Sequence, residues 1–124
     1  MSLRFAFAAT LLASSVAFAP AAHAQAKQDF MLINKTGYTL SELYVSPAKS
    51  DDWQKDLLGE RTLADGATQR VTFSRSATTC KWDLKVVYED DDSNAVWYGI
   101  DLCEISRITI RYNRKTETTS ASFD

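Results

Sequence analysis

The chain has 124 residues, 45% hydrophobic, 24% charged and 11% aromatic, with a net charge of −2. That size and balance describe one ordinary globular domain. They exclude a long disordered chain, a multi-span membrane protein and a large modular enzyme.

Residues 1–24 read as a secretory signal peptide. Arg4 is the only charge ahead of an apolar run over 5–19, which is shorter than the roughly 20 residues a bilayer span needs. Pro20 breaks the run, and Ala22-His23-Ala24 supplies the small-x-small pattern of a cleavage site. Cleavage is expected between Ala24 and Gln25. A retained anchor is the alternative, disfavoured by the short run. No paired arginines precede the run and no cysteine follows it, so neither a twin-arginine route nor a lipoprotein anchor is expected. The alanine-rich style is bacterial, which makes the expected address periplasmic or secreted.

Loss of Arg4 leaves 13 basic and 16 acidic residues, net −3. That sign argues against a nucleic-acid partner, whose phosphates call for a basic face. Cleavage also removes His23, the only histidine. The mature chain then lacks Ser-His-Asp and Cys-His pairs, imidazole general bases and histidine-ligated metals.

Along the mature chain the pattern is β. Phe30-Met31-Leu32-Ile33 predicts a strand over 29–34 packed on both faces. Lys35-Thr36-Gly37 reads as a turn. The stretch 38–46 predicts a second strand, whose alternation slips between Leu40 and Leu43 and implies a bulge. Pro47 ends it. Segment 50–59 is the one helical candidate: Asp51 as cap, Gln54 three residues later, Trp53 and Leu57 at i, i+4, and Gly59 as the stop. Asp65-Gly66 predicts a hairpin turn joining a short strand over 61–64 to one over 69–74, with Val71 and Phe73 inward. Trp82, Leu84, Val86 and Tyr88 alternate with Asp83, Lys85 and Val87 in a half-buried strand. After a turn over 90–94, Val96, Tyr98, Ile100 and Leu102 alternate with Trp97, Gly99, Asp101 and Cys103. Ile108, Ile110 and Tyr112 face inward in the last expected strand. From Thr116 the Thr/Ser-rich tail is expected to fray. About seven strands in some 90 residues predict an all-β, antiparallel β-sandwich with one short helix over 25–115.

Cys80 and Cys103 are the only cysteines. In an oxidising compartment such a pair forms a disulfide. The loop of about two dozen residues makes it worth on the order of 3 kcal/mol in the chain-entropy picture. A redox role is the alternative, weakened by the lack of Cys-x-x-Cys spacing. The bridge is expected to close a hairpin across its open end, unlike the inter-sheet bridge of antibody domains.

Asn34-x-Thr36-Gly37-Tyr38, Leu43-Tyr44-Val45-Ser46-Pro47, Trp53, Asp56-Leu57-Leu58-Gly59, Cys80-x-Trp82-Asp83-Leu84-x-Val86-x-Tyr88-x-Asp90 and Asp101-Leu102-Cys103 follow one another over most of the mature chain. Together they resemble a group of small secreted bacterial proteins of unknown function. The resemblance implies an exported single domain with the two cysteines as part of its pattern. It brings no activity.

Four constellations carry possible chemistry. Trp53, Trp97 and Tyr98 are candidate ligand contacts, able to stack on sugar rings or grip a protein, although Trp97 also fits a core position. Asp90, Asp92 and Asn94 have the i, i+2, i+4 spacing of a calcium loop, with Asp101 twelfth, but Ala95 replaces the required glycine and the flanks are strands. Arg107, Arg111, Arg114 and Lys115, with Lys85, form a possible basic stripe for an anionic surface. Asp83 and Asp101, outward on neighbouring strands, are a candidate carboxylate pair for hydrolysis. The expectation is a monomeric, non-enzymatic binding module for a protein or glycan ligand, without a cofactor and not membrane-spanning. A carboxylate-pair hydrolase and a Ca²⁺-dependent module are the alternatives.

Overall fold

A computed structural model describes residues 25–124; the signal-peptide reading of 1–24 lies outside the described residues. Seven strands form two facing sheets. They are β1 (Phe30–Lys35), β2 (Leu40–Pro47), β3 (Thr68–Val71), β4 (Lys81–Tyr88), β5 (Asn94–Asp101), β6 (Arg107–Asn113) and β7 (Thr118–Phe123). One sheet has the order β3-β1-β6-β7 and the other β2-β4-β5. The architecture is the expected all-β sandwich, and pairing is antiparallel except between β1 and β6, which run parallel.

The core follows from alternation. Phe30, Leu32 and Asn34 of β1, Leu40 and Leu43 of β2, Leu84 and Val86 of β4, and Ile108 and Ile110 of β6 are all buried between the sheets. Met31 and Ile33, on the other face of β1, are only half-buried. The expected bulge in β2 is present as a register shift between Leu40 and Glu42.

Segment 50–59 forms no helix; among the described residues every regular element is a strand. Backbone and side-chain chemistry explain the difference. Gln54 has φ 63°, a left-handed conformation that interrupts a helix. Asp52 Oδ1 accepts the Gln54 N–H at 2.9 Å, a local bond that competes with helical pairing. Asp56 Oδ1 accepts the N–H groups of both Leu43 and Leu58, and the Leu57 N–H donates to Leu43 O. Leu63 then exchanges both backbone bonds with Leu40. The loop therefore satisfies the open edge of β2, which an unprotected sandwich would expose to other strands.

Asp65-Gly66 is a turn, with Gly66 at φ 82°, but it does not join a hairpin. Leu63 makes a single bridge to β2 in one sheet, whereas β3 pairs with β1 in the other. The tail also differs from expectation. Thr118–Phe123 pairs residue for residue with β6, placing Ala121 opposite Ile110 and against the core. Threonine suits an extended, half-buried strand, and composition alone had hidden this one.

Asn34 is fully buried and fully bonded. Its Nδ2 donates to Tyr38 O at 2.8 Å and Leu63 O at 2.9 Å, and its Oδ1 accepts the Thr36 N–H and hydroxyl. Asn34→Asp keeps the shape but replaces the donor with an oxygen facing two carbonyls. Chemical denaturation should show a loss of about 3 kcal/mol for this variant and for Asn34→Ala, since each breaks two buried hydrogen bonds at once. A loss under about 1 kcal/mol would show that the bonds carry little of the stability.

Cys80 and Cys103 are joined, with Cα atoms 5.3 Å apart. The bridge lies just beyond the Lys81↔Asp101 pair that ends the β4–β5 hairpin, which closes the hairpin as expected. Replacing both cysteines by serine should lower stability by on the order of 3 kcal/mol. The unfolding midpoint in urea, with and without reductant, measures it: reductant should leave the double variant unchanged and bring the parent down to it.

Candidate functional site

The two ends of the sandwich are closed by different aromatic groups. At the disulfide end Phe73 packs between Phe30, at 6.3 Å, and Trp82, at 4.7 Å. At the opposite end Tyr38 from the β1–β2 turn, Tyr88 from the end of β4 and Tyr112 from β6 meet one another. Their ring centroids lie 5.4–6.0 Å apart. The interplanar angles are 86°, 86° and 68°, so the rings stand like three walls of a box. Edge-to-face contact is the arrangement that ring quadrupoles favour.

These rings floor a recess of about 130 Å³ whose remaining lining is Asp90, Asp91 and Ser93 from the β4–β5 turn. The turn is rigidly made. The Tyr88 N–H donates to Ser93 O, the Asp92 N–H to Tyr88 O, and Asp91 Oδ1 accepts both the N–H and the hydroxyl of Ser93. The Ser93 hydroxyl and N–H hold the Asp91 carboxyl below its usual range. The Tyr88 hydroxyl bonds Thr119 on β7 at 2.8 Å. Burial pushes the Tyr88 phenol up and Asp91 adds to the shift, against the Thr119 bond. Partial desolvation raises Tyr112, with Glu117 and Asp91 adding to it and Arg114 opposing. The carboxyl groups of Asp90, Asp91 and Glu117 thus gather at this end, with the Arg114 guanidinium among them.

Sequence reasoning placed Tyr88 and Tyr112 inward as core residues and assigned Tyr38 no role. The available signal was chemical: three tyrosines, not phenylalanines, at strand ends beside charged turns. A phenol keeps one end apolar and the other wet.

The three candidate aromatics separate. Trp97 pairs with Leu84 and packs against the core, half-buried. Tyr98 is 75% exposed. The alternation expected of Val96 and Tyr98 as core residues is reversed by a register shift between Trp82 and Leu84, where β5 carries an extra residue. Gly99 sits in this bulge at φ 65°, and Asp83 Oδ1 accepts its N–H at 2.8 Å. Trp53 lies over the outer face of the β2-β4-β5 sheet. The Lys85 ammonium there sits 5.3 Å from the Trp53 ring and 4.9 Å from that of Tyr44.

Asp83 and Asp101 are each engaged elsewhere. Asp83 is buried and holds the bulge. Asp101 accepts the Cys103 N–H and pairs with Lys81 at 3.7 Å. Asp101 is also remote from the acidic turn, because β5 puts about 23 Å of extended chain between Asn94 and Asp101. It does not complete a loop with Asp90, Asp92 and Asn94. Asp101 does lie near Cys80 and Cys103, but their sulfurs are bonded to each other and are not thiolate ligands. The basic stripe divides as well. Arg107 and Arg111 are exposed on β6, Arg114 and Lys115 follow in the β6–β7 turn, and Lys85 belongs to the other sheet.

No helix among the described residues is long and apolar enough to cross a membrane. No protein family, curated protein or solved structure matches the chain.

On the outer face, the Tyr44 hydroxyl donates to Glu42 Oε1 at 2.5 Å. That bond to a carboxylate is the main cause that pushes the phenol up from 10.0 to about 12, with desolvation next. Because the folded value exceeds the unfolded one, the contribution to stability is present below pH 10 and is lost as pH rises towards 12. Absorbance titration of the phenols should show a component near 12 that disappears in Tyr44→Phe and moves back towards 10.0 in Glu42→Gln. A titration in which Glu42→Gln changes nothing would break the assignment.

Proposed function

We propose that the protein is an exported, non-catalytic binding module whose ligand seat is the tyrosine-floored recess at the end of the sandwich opposite the disulfide. The single observation that carries this reading is the recess itself. Three rings from three different segments converge on one concavity, beside polar groups from a fixed turn. Concave apolar surface with a few placed polar groups is the usual form of a ligand site.

Export rests on the sequence of residues 1–24, and the disulfide agrees with it, since such bonds persist in oxidising compartments. The periplasm or the extracellular space is the address this favours. The non-catalytic reading is supported by a mature sequence without histidine and by the engagement of Asp83 and Asp101 in structural bonds. The ligand is a protein side chain or a glycan group presented to the recess. Trp53 and Tyr98 give the β2-β4-β5 sheet a second aromatic surface that extends the contact with a larger partner.

Amide chemical-shift mapping tests the seat. A panel of small sugars, amino acids, alcohols and amines is added one at a time to the purified protein. Saturable shifts are expected to cluster at Tyr38, Tyr88, Ser93 and Tyr112. A panel that moves none of these residues would sink the recess as a ligand site. Turnover of a glycan, ester or peptide substrate that disappears in Asp101→Asn would establish the hydrolase alternative instead.

A further inference from the structure

We infer that the recess selects a cation of the alkylated-ammonium class, a methylated amine or a quaternary ammonium head, resting on the reading that the recess is the ligand seat. Size, surface and charge each restrict the choice.

The volume of about 130 Å³ is well below the ~300–1,000 Å³ of a site for a drug-sized molecule. It admits a compact head group and leaves the remainder of the ligand outside. The floor is aromatic on three sides with the rings nearly at right angles. Aromatic walls around a compact cation attract it through their quadrupoles, which is the established way proteins hold quaternary ammonium groups. The rim carries the carboxyl groups of Asp90 and Asp91, both exposed. Among the described residues Asp90 has no hydrogen-bond or ion-pair partner, so its charge is left for a ligand. Glu117 adds a further negative charge near Tyr112.

The molecule also shows that this cluster accepts a cation. The Arg114 guanidinium carbon lies 5.3 Å from the Tyr38 ring centroid, inside the ~6 Å range of a cation–π contact. The three rings line the recess together with the two carboxylates. An anionic head would face the two carboxylates with only the Arg114 guanidinium beside Tyr38 to offset them. A bare ammonium would give up more hydration than a methylated one to sit on carbon, so alkylation suits the apolar floor.

Choline and its uncharged carbon isostere 3,3-dimethylbutan-1-ol are the probes, titrated into the purified protein and followed by chemical shift. Choline should saturate and move Tyr38, Tyr88 and Tyr112, and the isostere should bind at least about tenfold more weakly. Asp90→Asn with Asp91→Asn keeps the Ser93 bonds within reach of the Oδ1 atom. It should weaken choline by about fivefold and leave the isostere unchanged. Tyr112→Phe should retain choline binding and Tyr112→Leu should abolish it, with circular dichroism confirming the fold of each. Equal affinity for choline and the isostere would overturn the cation assignment while preserving the recess as a seat. The cation assignment also fails if choline moves none of the three tyrosines. In that case the broader panel decides separately whether the recess binds anything.

Discussion

The side-chain amide of Asn34 ties together its own strand, the β1–β2 turn and the stretch around Leu63. It lies on the inward face of β1, where alternation calls for an apolar residue, yet it is wholly excluded from water. Its backbone is also spoken for, since the N–H donates to Ala67 O and the carbonyl accepts the Gly66 N–H. Its side chain fixes the carbonyls of Tyr38 and Leu63. Leu63 is the residue that seals β2 by pairing with Leu40, so one amide links the edge of one sheet to an inner strand of the other. A buried polar group with every partner in place is costly to disturb and specifies a single arrangement. It also sets the backbone of Tyr38, and hence one wall of the recess.

The two ends of the sandwich show how the same problem is solved in two ways. Both need aromatic volume where the sheets splay and the aliphatic core runs out. At the disulfide end the solution is Phe30, Phe73 and Trp82, with the covalent bridge alongside. Gln28 is buried nearby and donates to Ala77 O and Thr79 O, tying the preceding segment to the loop before β4. At the opposite end there is no bridge, and the three rings are phenols. Of their hydroxyls, that of Tyr88 is bonded to β7. One end thus carries the covalent bridge, and the other keeps polar tips and carboxylates at its mouth.

The sequence disclosed the strands whose alternation runs uninterrupted. β1, β4 and β6 could be read from Leu32, Leu84, Val86, Ile108 and Ile110, and the slip in β2 announced its own bulge. It failed where a side chain took over a backbone role. Segment 50–59 has a helix's spacing of Trp53 and Leu57, but Asp52 and Asp56 spend their oxygens on backbone N–H groups and hold the chain irregular. β5 was misread because its bulge is created by partners on two strands, Asp83 and Gly99, and no local pattern contains both. β7 was missed because Ser and Thr look alike in a loose tail and in an edge strand; only the facing β6 decides between them. The recess was hidden for a related reason. Its walls come from residues 38, 88 and 112, each unremarkable in its own segment, and only the topology makes them neighbours.

The bulge at Gly99 explains more than a change of register. β5 is an edge strand, and an edge that is flat and regular invites pairing with another chain. An extra residue interrupts the ladder and increases the local twist. Here the cost of the interruption is met by Asp83, whose carboxylate takes up the Gly99 N–H from across the pair. The same interruption turns Trp97 towards the core and Tyr98 out to solvent. On the other edge of this sheet the loop over 50–63 does equivalent work with Asp56 and Leu63. Both edges of the three-stranded sheet are thereby blunted by side chains that look surplus in the sequence. A sheet whose two edges are both blocked in this way is poorly suited to recognition by strand addition.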